Sequence, residues 1–226
     1  MFIANSFKVL SQGIIVSSTV LFLSGCIIHV GGGSNDTSHG NSVSSVYGDL
    51  EVSQGKHVSN VSSVNGSIQL HDDVKARSVD TVNGSIKMGA YVSVQNANTV
   101  NGDIEAEQHF NSASFVKAVN GNISLQSSSK VAEDVETMNG DITLNGVLVE
   151  GSLRTHTGNM LLTNNTQVLG DIIFHKSNNS KHSVPTLSIK QGATVTGQII
   201  LYREVELNID DAQLLNKIEF QFDNDK

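Results

Sequence analysis

The sequence predicts an all-β chain wound as a single parallel β-solenoid, a β-helix with coils of 18 or 19 residues and a C-terminal capping segment. Three observations carry that prediction. First, turn glycines recur as Gly48, Gly66, Gly84, Gly102, Gly121, Gly140 and, with a poorer match, Gly158, at spacings of 18, 18, 18, 19, 19 and 18. A fixed period of this size is the signature of stacked repeats. Second, apolar residues keep fixed offsets from each glycine. Val46, Val64, Val82, Val100, Val119 and Met138 stand two before it, and Leu50, Ile68, Ile86, Ile104, Ile123 and Ile142 two after. A further set stands four after, from Val52 and Leu70 to Leu144, and another five before, from Val43 and Val61 to Leu153. This alternation with polar residues reads as strands with one buried face, the valines two before the glycine among the inward residues. Third, the chain has no Trp, one Pro and 5% aromatic residues, so Val, Ile and Leu must fill the core, which favours strands.

In chain order, residues 1–25 hold one basic residue, Lys8, then an apolar stretch from Ile14 to Leu23. They end in Leu23-Ser24-Gly25 immediately before Cys26, the only cysteine. The stretch is about half the twenty or so apolar residues that a bilayer-spanning helix needs. Leu23 to Cys26, LSGC, resembles the lipobox of bacterial lipoproteins, behind a matching signal peptide. The resemblance implies that Cys26 carries diacylglycerol and that the bilayer is the chain's first partner. Two or three acyl chains, at about 0.8 kcal/mol per buried methylene, make a stable anchor. Ile27 rather than aspartate after the cysteine implies, by the same resemblance, a place in the outer membrane of the cell envelope where the organism is Gram-negative. With its thiol so used, the chain has no disulfide to stabilise it.

Residues 26–42 are expected to be the lipidated cysteine and a flexible tether, because 31–42, GGGSNDTSHGNS, contain no large apolar residue. The solenoid is expected over 43–226. Asn-Gly between apolar runs is also the strongest short-range hairpin signal. Hairpins, however, would reverse the chain at every copy, whereas here residues of one kind recur at every offset, as stacking in one direction requires. The seven copies predict seven or so coils and a rod of about 35 Å. Eighteen residues would also fit three six-residue sides of a left-handed helix; the uneven spacing of the apolar positions favours the right-handed form. Asn65-Gly66, Asn83-Gly84, Asn101-Gly102, Asn120-Gly121 and Asn139-Gly140 form the expected turn ladder. Asn and Gly tolerate positive φ and close packing, and stacked amides can hydrogen-bond along the rod.

The rhythm changes after about residue 163. Val149-Glu150-Gly151-Ser152-Leu153, Val168-Leu169-Gly170-Asp171-Ile172 and Val195-Thr196-Gly197-Gln198-Ile199 keep the V-x-G-x-apolar pattern, but the last two glycines lie 27 residues apart. An insertion is expected at His175 to Pro185, as an exposed loop. Alternation resumes in Val205, Leu207 and Ile209 and again in Ile218, Phe220 and Phe222, whose aromatic rings are expected to cover the open end of the core. An uncovered end would invite aggregation.

The V-x-G-x-I copies resemble the adhesin β-solenoid domains of bacterial envelope proteins, over roughly residues 43–200. That resemblance implies a parallel β-helix at the cell envelope with an adhesive or scaffolding role and no catalytic residues. Many parallel β-helices cleave acidic polysaccharides with clustered carboxylates. Here Asp49, Asp103, Asp141 and Asp171 share a position after the glycine with Ser67, Ser85, Asn122 and Asn159, the scatter that turn capping produces. The acidic pairs Asp72-Asp73, Glu133-Asp134 and Asp210-Asp211 read as solvated loop charges. The eight histidines show no metal-ligand spacing, so neither a metal nor another cofactor is expected. A net charge of −8 argues against nucleic acid as a partner. Tyr47, Tyr91 and Tyr202 lie far apart in the repeat, which disfavours sugar stacking. The expected function is a non-enzymatic, membrane-anchored envelope lipoprotein, an adhesin-like module for a surface polymer or protein; a self-assembling scaffold and a polysaccharide-degrading enzyme are the alternatives.

Overall fold

The computed structural model of the protein describes residues 28–30, 41–177 and 183–222. The chain is a parallel β-solenoid. Each coil lays one strand after the glycine, as at Ile86–Met88, one short strand, as at Ser93–Val94, and one before the next glycine, as at Asn96–Asn101. Stacked coils build three parallel sheets, the first and third of ten strands and the second of six. Equivalent residues pair without slippage, Ile86 with Ile104 and Ile104 with Ile123, and Val79 with Ala97 and Ala97 with Val116. Ten strands in a sheet make about nine turns, more than the seven expected, and nine rises of about 4.8 Å give a rod on the order of 43 Å long.

One extra rung comes from a segment expected to be tether. Ile28–Val30 pairs in register with Leu50–Val52 at the start of the first sheet. This first described rung lies two residues past Cys26, which itself lies outside the described residues, as do 31–40 of the expected tether. The remaining rungs come from the irregular final third, where Met160, Leu187 and Leu207 continue the isoleucine row and Ile172, Ile199 and Ile218 the row of Val135 and Leu153.

The core is a column of aliphatic rows with Phe110 and Phe174 fully buried among them. Each Ile or Leu removed from water in this way contributes about 1.5–3 kcal/mol. The valines two before the glycine are not part of it. Val46 is 60% exposed, Val64 and Val82 are 41% exposed and Met138 44%. The inward residue is one place earlier, at Ser63, Thr81, Thr99 and Thr137. The physical reason is the corner. Its glycine carbonyls accept from these hydroxyls: Thr81 Oγ1 donates to Gly66 O (2.9 Å), Thr99 to Gly84 O (3.0 Å) and Thr137 to Gly121 O (2.8 Å), while Ala118 holds the same place in its coil without a donor. A valine in place of one of these threonines would leave its carbonyl without that donor.

The later V-x-G copies also stand elsewhere than expected. Gly151, Gly170 and Gly197 do not continue the Asn-Gly turn but stack on one another at a second corner, between the second and third sheets; Gly158 continues the first. Up to Val94 and Ala97 two residues span that corner, and from Ser112 and Val116 onward three do, which is where the coil grows from 18 to 19 residues. The insertion falls at the first corner: one strand ends at Phe174 and the next begins at Thr186, with 178–182 outside the described residues.

A third corner carried no sequence signal. Gly55, Asp73, Tyr91, His109, Ser128, Gly146, Asn165 and Gly192, aligned one per coil, all have φ between +59° and +87°. Five of the eight are not glycine, each bearing a left-handed conformation that costs roughly 1–2 kcal/mol.

The C-terminal end is closed partly as expected: Phe222 packs half-buried against the core, edge-on to Phe220 at 6.0 Å between centroids. Ile218–Phe220 is the last rung of the third sheet, and Phe220 remains exposed because nothing described stacks beyond it. The short 3-10 helix Ala212–Lys217, capped by Asp211 Oδ1 on the Gln213 N–H (2.9 Å), also buries Leu214 against the core. Its Lys217 Nζ donates to Val195 O (2.7 Å) and Thr196 O (2.8 Å), occupying the open edge of the second sheet. Asp223 to Asp225 lie outside the described residues.

Candidate functional site

The turn ladder is built from two parallel hydrogen-bond chains. Asn83 Nδ2 donates to Asn65 Oδ1 (2.9 Å), Asn101 to Asn83, Asn120 to Asn101 and Asn139 to Asn120 (2.8 Å each). Thr157 Oγ1 closes the series on Asn139 Oδ1 (3.2 Å). Between the asparagines and the next strand, Gly66, Gly84, Gly102, Gly121 and Gly140 lie directly on the glycine of the coil before. Their requirement is closeness more than rotation: of these five only Gly102 has a left-handed φ, while a Cβ on any of them would meet the preceding carbonyl.

The residues after those glycines form the second chain. Asp49 Oδ1 accepts the Ser67 N–H (2.7 Å), Ser67 Oγ that of Ser85 (3.2 Å), and Ser85 Oγ that of Asp103 (3.1 Å). Asp103, Asn122, Asp141 and Asn159 continue it through their Oδ1 atoms to Thr186 N (2.7–2.8 Å). Asp134, Ser152 and Asp171 repeat the device at the second corner, ending on Gln198 N (2.8 Å). These carboxylates hold backbone amides of the neighbouring coil.

The acidic pairs are similarly engaged. Asp72 Oδ1 accepts the Ala90 N–H (2.9 Å), Glu133 the Ser114 hydroxyl (2.6 Å) and Asp210 Oδ2 the Gln191 N–H (3.0 Å). Asp134 also pairs with Arg154, and Arg203 donates to His156 O (2.8 Å) and Ser183 O (3.2 Å). Among the described residues, no three His, Cys, Asp or Glu side chains gather as a metal site, and no helix is long and apolar enough to cross a membrane.

The structure adds two ring stacks. Tyr91 and His109 stack at 4.5 Å on the left-handed corner. His156, His175 and Tyr202 form a longer stack, 4.8 Å and then 6.0 Å between centroids, in the row that the outward valines occupy in earlier coils. The alignment was hidden because the inserted loop leaves immediately after His175. The rings stack along the rod and cover one another's faces, leaving edges outward. Tyr91 and Tyr202, at the ends of these stacks, remain 53% and 38% exposed.

Partial burial holds the His175 pKa below its ordinary value of 6.5, with His156 and Arg154 adding to the lowering and Glu136 opposing it. A histidine depressed in the folded state binds its proton more readily when unfolded, so its contribution is present above pH 6.5 and is lost as pH falls through the folded-state pKa. Urea denaturation from pH 8 to pH 5 is expected to show stability falling below about pH 6.5, and His175→Gln to flatten that fall; equal slopes would exclude the stack as its source.

Corners and sheets together define a parallel β-solenoid stapled by side-chain ladders. Compared with protein-family models, with curated proteins and with solved structures, the chain matches none.

Proposed function

We propose that the chain is a non-enzymatic envelope lipoprotein, held in the outer membrane by acylated Cys26 and working as an adhesin-like module that binds a polymer or protein through its sheet faces. The observation that carries this reading is the position of the first rung. Ile28–Val30 joins the first sheet two residues after the LSGC cysteine, so acyl chains on Cys26 would hold the rod by its end and leave its length free for contact. The absence of an enzymatic role is supported by the work that the turn carboxylates already do on backbone amides. End-to-end assembly, the scaffold alternative, is opposed by Leu214 and Lys217, which cover part of the C-terminal end.

Metabolic labelling with an alkyne palmitate is expected to tag the protein in membranes, and Cys26→Ser to lose the tag and move to the soluble fraction. Protease treatment of whole cells then separates a surface module from a periplasmic one. A Cys26→Ser protein that stays membrane-bound would remove the anchor from the proposal.

A further inference from the structure

We propose that the exposed valine ridge is a homotypic contact, on which a second copy of the chain lies side by side and antiparallel. The inference deepens the adhesive reading by naming the partner, and it rests on that reading only for its biological sense. The ridge has one residue per coil, with Val46, Val64, Val82 and Met138 exposed and Val100 and Val119 half-buried, and reaches His156 before the inserted corner after His175 interrupts it. Five valines and a methionine left outward in consecutive coils make an apolar strip, and the largest apolar patch of a monomer is often an interaction site.

The spacing selects the occupant. Side chains repeating at about 4.8 Å along a straight line are matched over several rungs by a ridge of the same pitch, which a second copy supplies. The charges beside the ridge select the direction. Two residues before each ridge position, facing outward on the third sheet, run Ser44, Ser62, Asp80, Asn98, Lys117, Glu136 and Arg154. Lys117 is held in this row by Glu136 at 3.1 Å and by the Phe115 ring at 5.0 Å.

With a two-fold axis crossing the rods at Val100, the seven rungs from Val46 to His156 overlap fully. Val82 then faces Val119, Val64 faces Met138, and each Asp80 faces Lys117 of the second copy. A parallel pair, related by an axis along the rods, lays the charged row against the neutral asparagine ladder and gains no such pairing. The antiparallel pair is therefore the favoured one. Six rises of about 4.8 Å by a width of about 10 Å give a footprint near 300 Å² per rod, well below what a stable dimer buries, so one contact is weak. Antiparallel rods held at their N-terminal ends have their anchors at opposite ends. They join two facing membranes, where many weak contacts act together.

Disulfide trapping tests the geometry with the full chain in mild detergent and a Cys26→Ser background, which leaves no other thiol. Val100→Cys lies on the axis and is expected to link to itself. Val64→Cys, four rungs from its own copy, is expected to link at least tenfold less, but to link when mixed with Met138→Cys. Asp80→Lys is expected to cut Val100→Cys trapping severalfold, and Asp80→Lys with Lys117→Asp to restore it. Equal self-linking at 64 and 100 would mean a parallel pair and overturn the proposal, as would no linking at 100 or trapping indifferent to the charges. Because Cys26 is replaced throughout, failure here leaves the lipid anchor standing, and failure of palmitate labelling leaves this contact standing.

Discussion

Gly121→Ala is expected to cost at least about 4 kcal/mol and to abolish cooperative unfolding in urea, followed by circular dichroism. Its Cβ would lie 2.5 Å from the Gly102 carbonyl carbon and closer still to the oxygen. The obstacle is backbone, so no rotamer change relieves it. The only escape is to lift one coil from the next, which breaks the hydrogen bond from Asn120 Nδ2 to Asn101 Oδ1, the Asp103 cap on Asn122 N and the adjoining ladder. Gly55→Ala is the control. Its φ of +71° strains an alanine, but no atom lies within 4 Å of the added Cβ, and the expected loss is about 1 kcal/mol. If the two variants lose equal stability, close stacking is not what the turn glycines serve.

Phe110→Ala is expected to lose about 3–5 kcal/mol, toward the upper end of that range. The cost of a cavity depends on how far its walls can collapse. Phe110 is fully buried at a level where its coil also carries the small Ala106, Ser112 and Ala118, so few neighbouring atoms are available to fill the space. The rungs above and below are fixed at their spacing by sheet pairing on both sides, as at Asn111 with Ser93 and Lys130. Phe110→Leu should recover more than half of the loss, measured by the same denaturation. A loss below about 1 kcal/mol for Phe110→Ala would mean that the column yields around the gap.

The period and stacking direction were legible because they rest on repetition, which a solenoid writes directly into its sequence. The capping role of Asp49, Asp103 and Asp141 was legible for the same reason: residues that interchange with Ser and Asn at one offset share one hydrogen-bonding task. The valines two before the glycine misled because strand alternation was carried through a corner. Thr81 and Ile86 both point inward with four residues between them, so the alternation restarts at the glycine. A buried threonine looks polar in a sequence, and only the glycine carbonyl it donates to explains it. The left-handed corner stayed hidden because Asp73, Tyr91, His109 and Ser128 bear the conformation without announcing it. The second glycine corner was merged with the first because both read V-x-G-x-apolar, and the His156–His175–Tyr202 stack could be aligned only once the insertion had a place.

The asparagine ladder also bears on how the protein ages. Asn-Gly is the dipeptide most prone to deamidation, in which the glycine nitrogen attacks the asparagine side-chain carbonyl and a succinimide forms. In this rod the attacking nitrogens of Gly66, Gly84, Gly102 and Gly121 are bound at 2.9–3.1 Å to the carbonyl oxygen of the asparagine one coil on, and the side-chain amides are held by their neighbours. Ring closure would have to break both restraints. The motif that is chemically most fragile in a loose chain is thereby shielded in the wound one, and isoaspartate at these positions records time spent unwound.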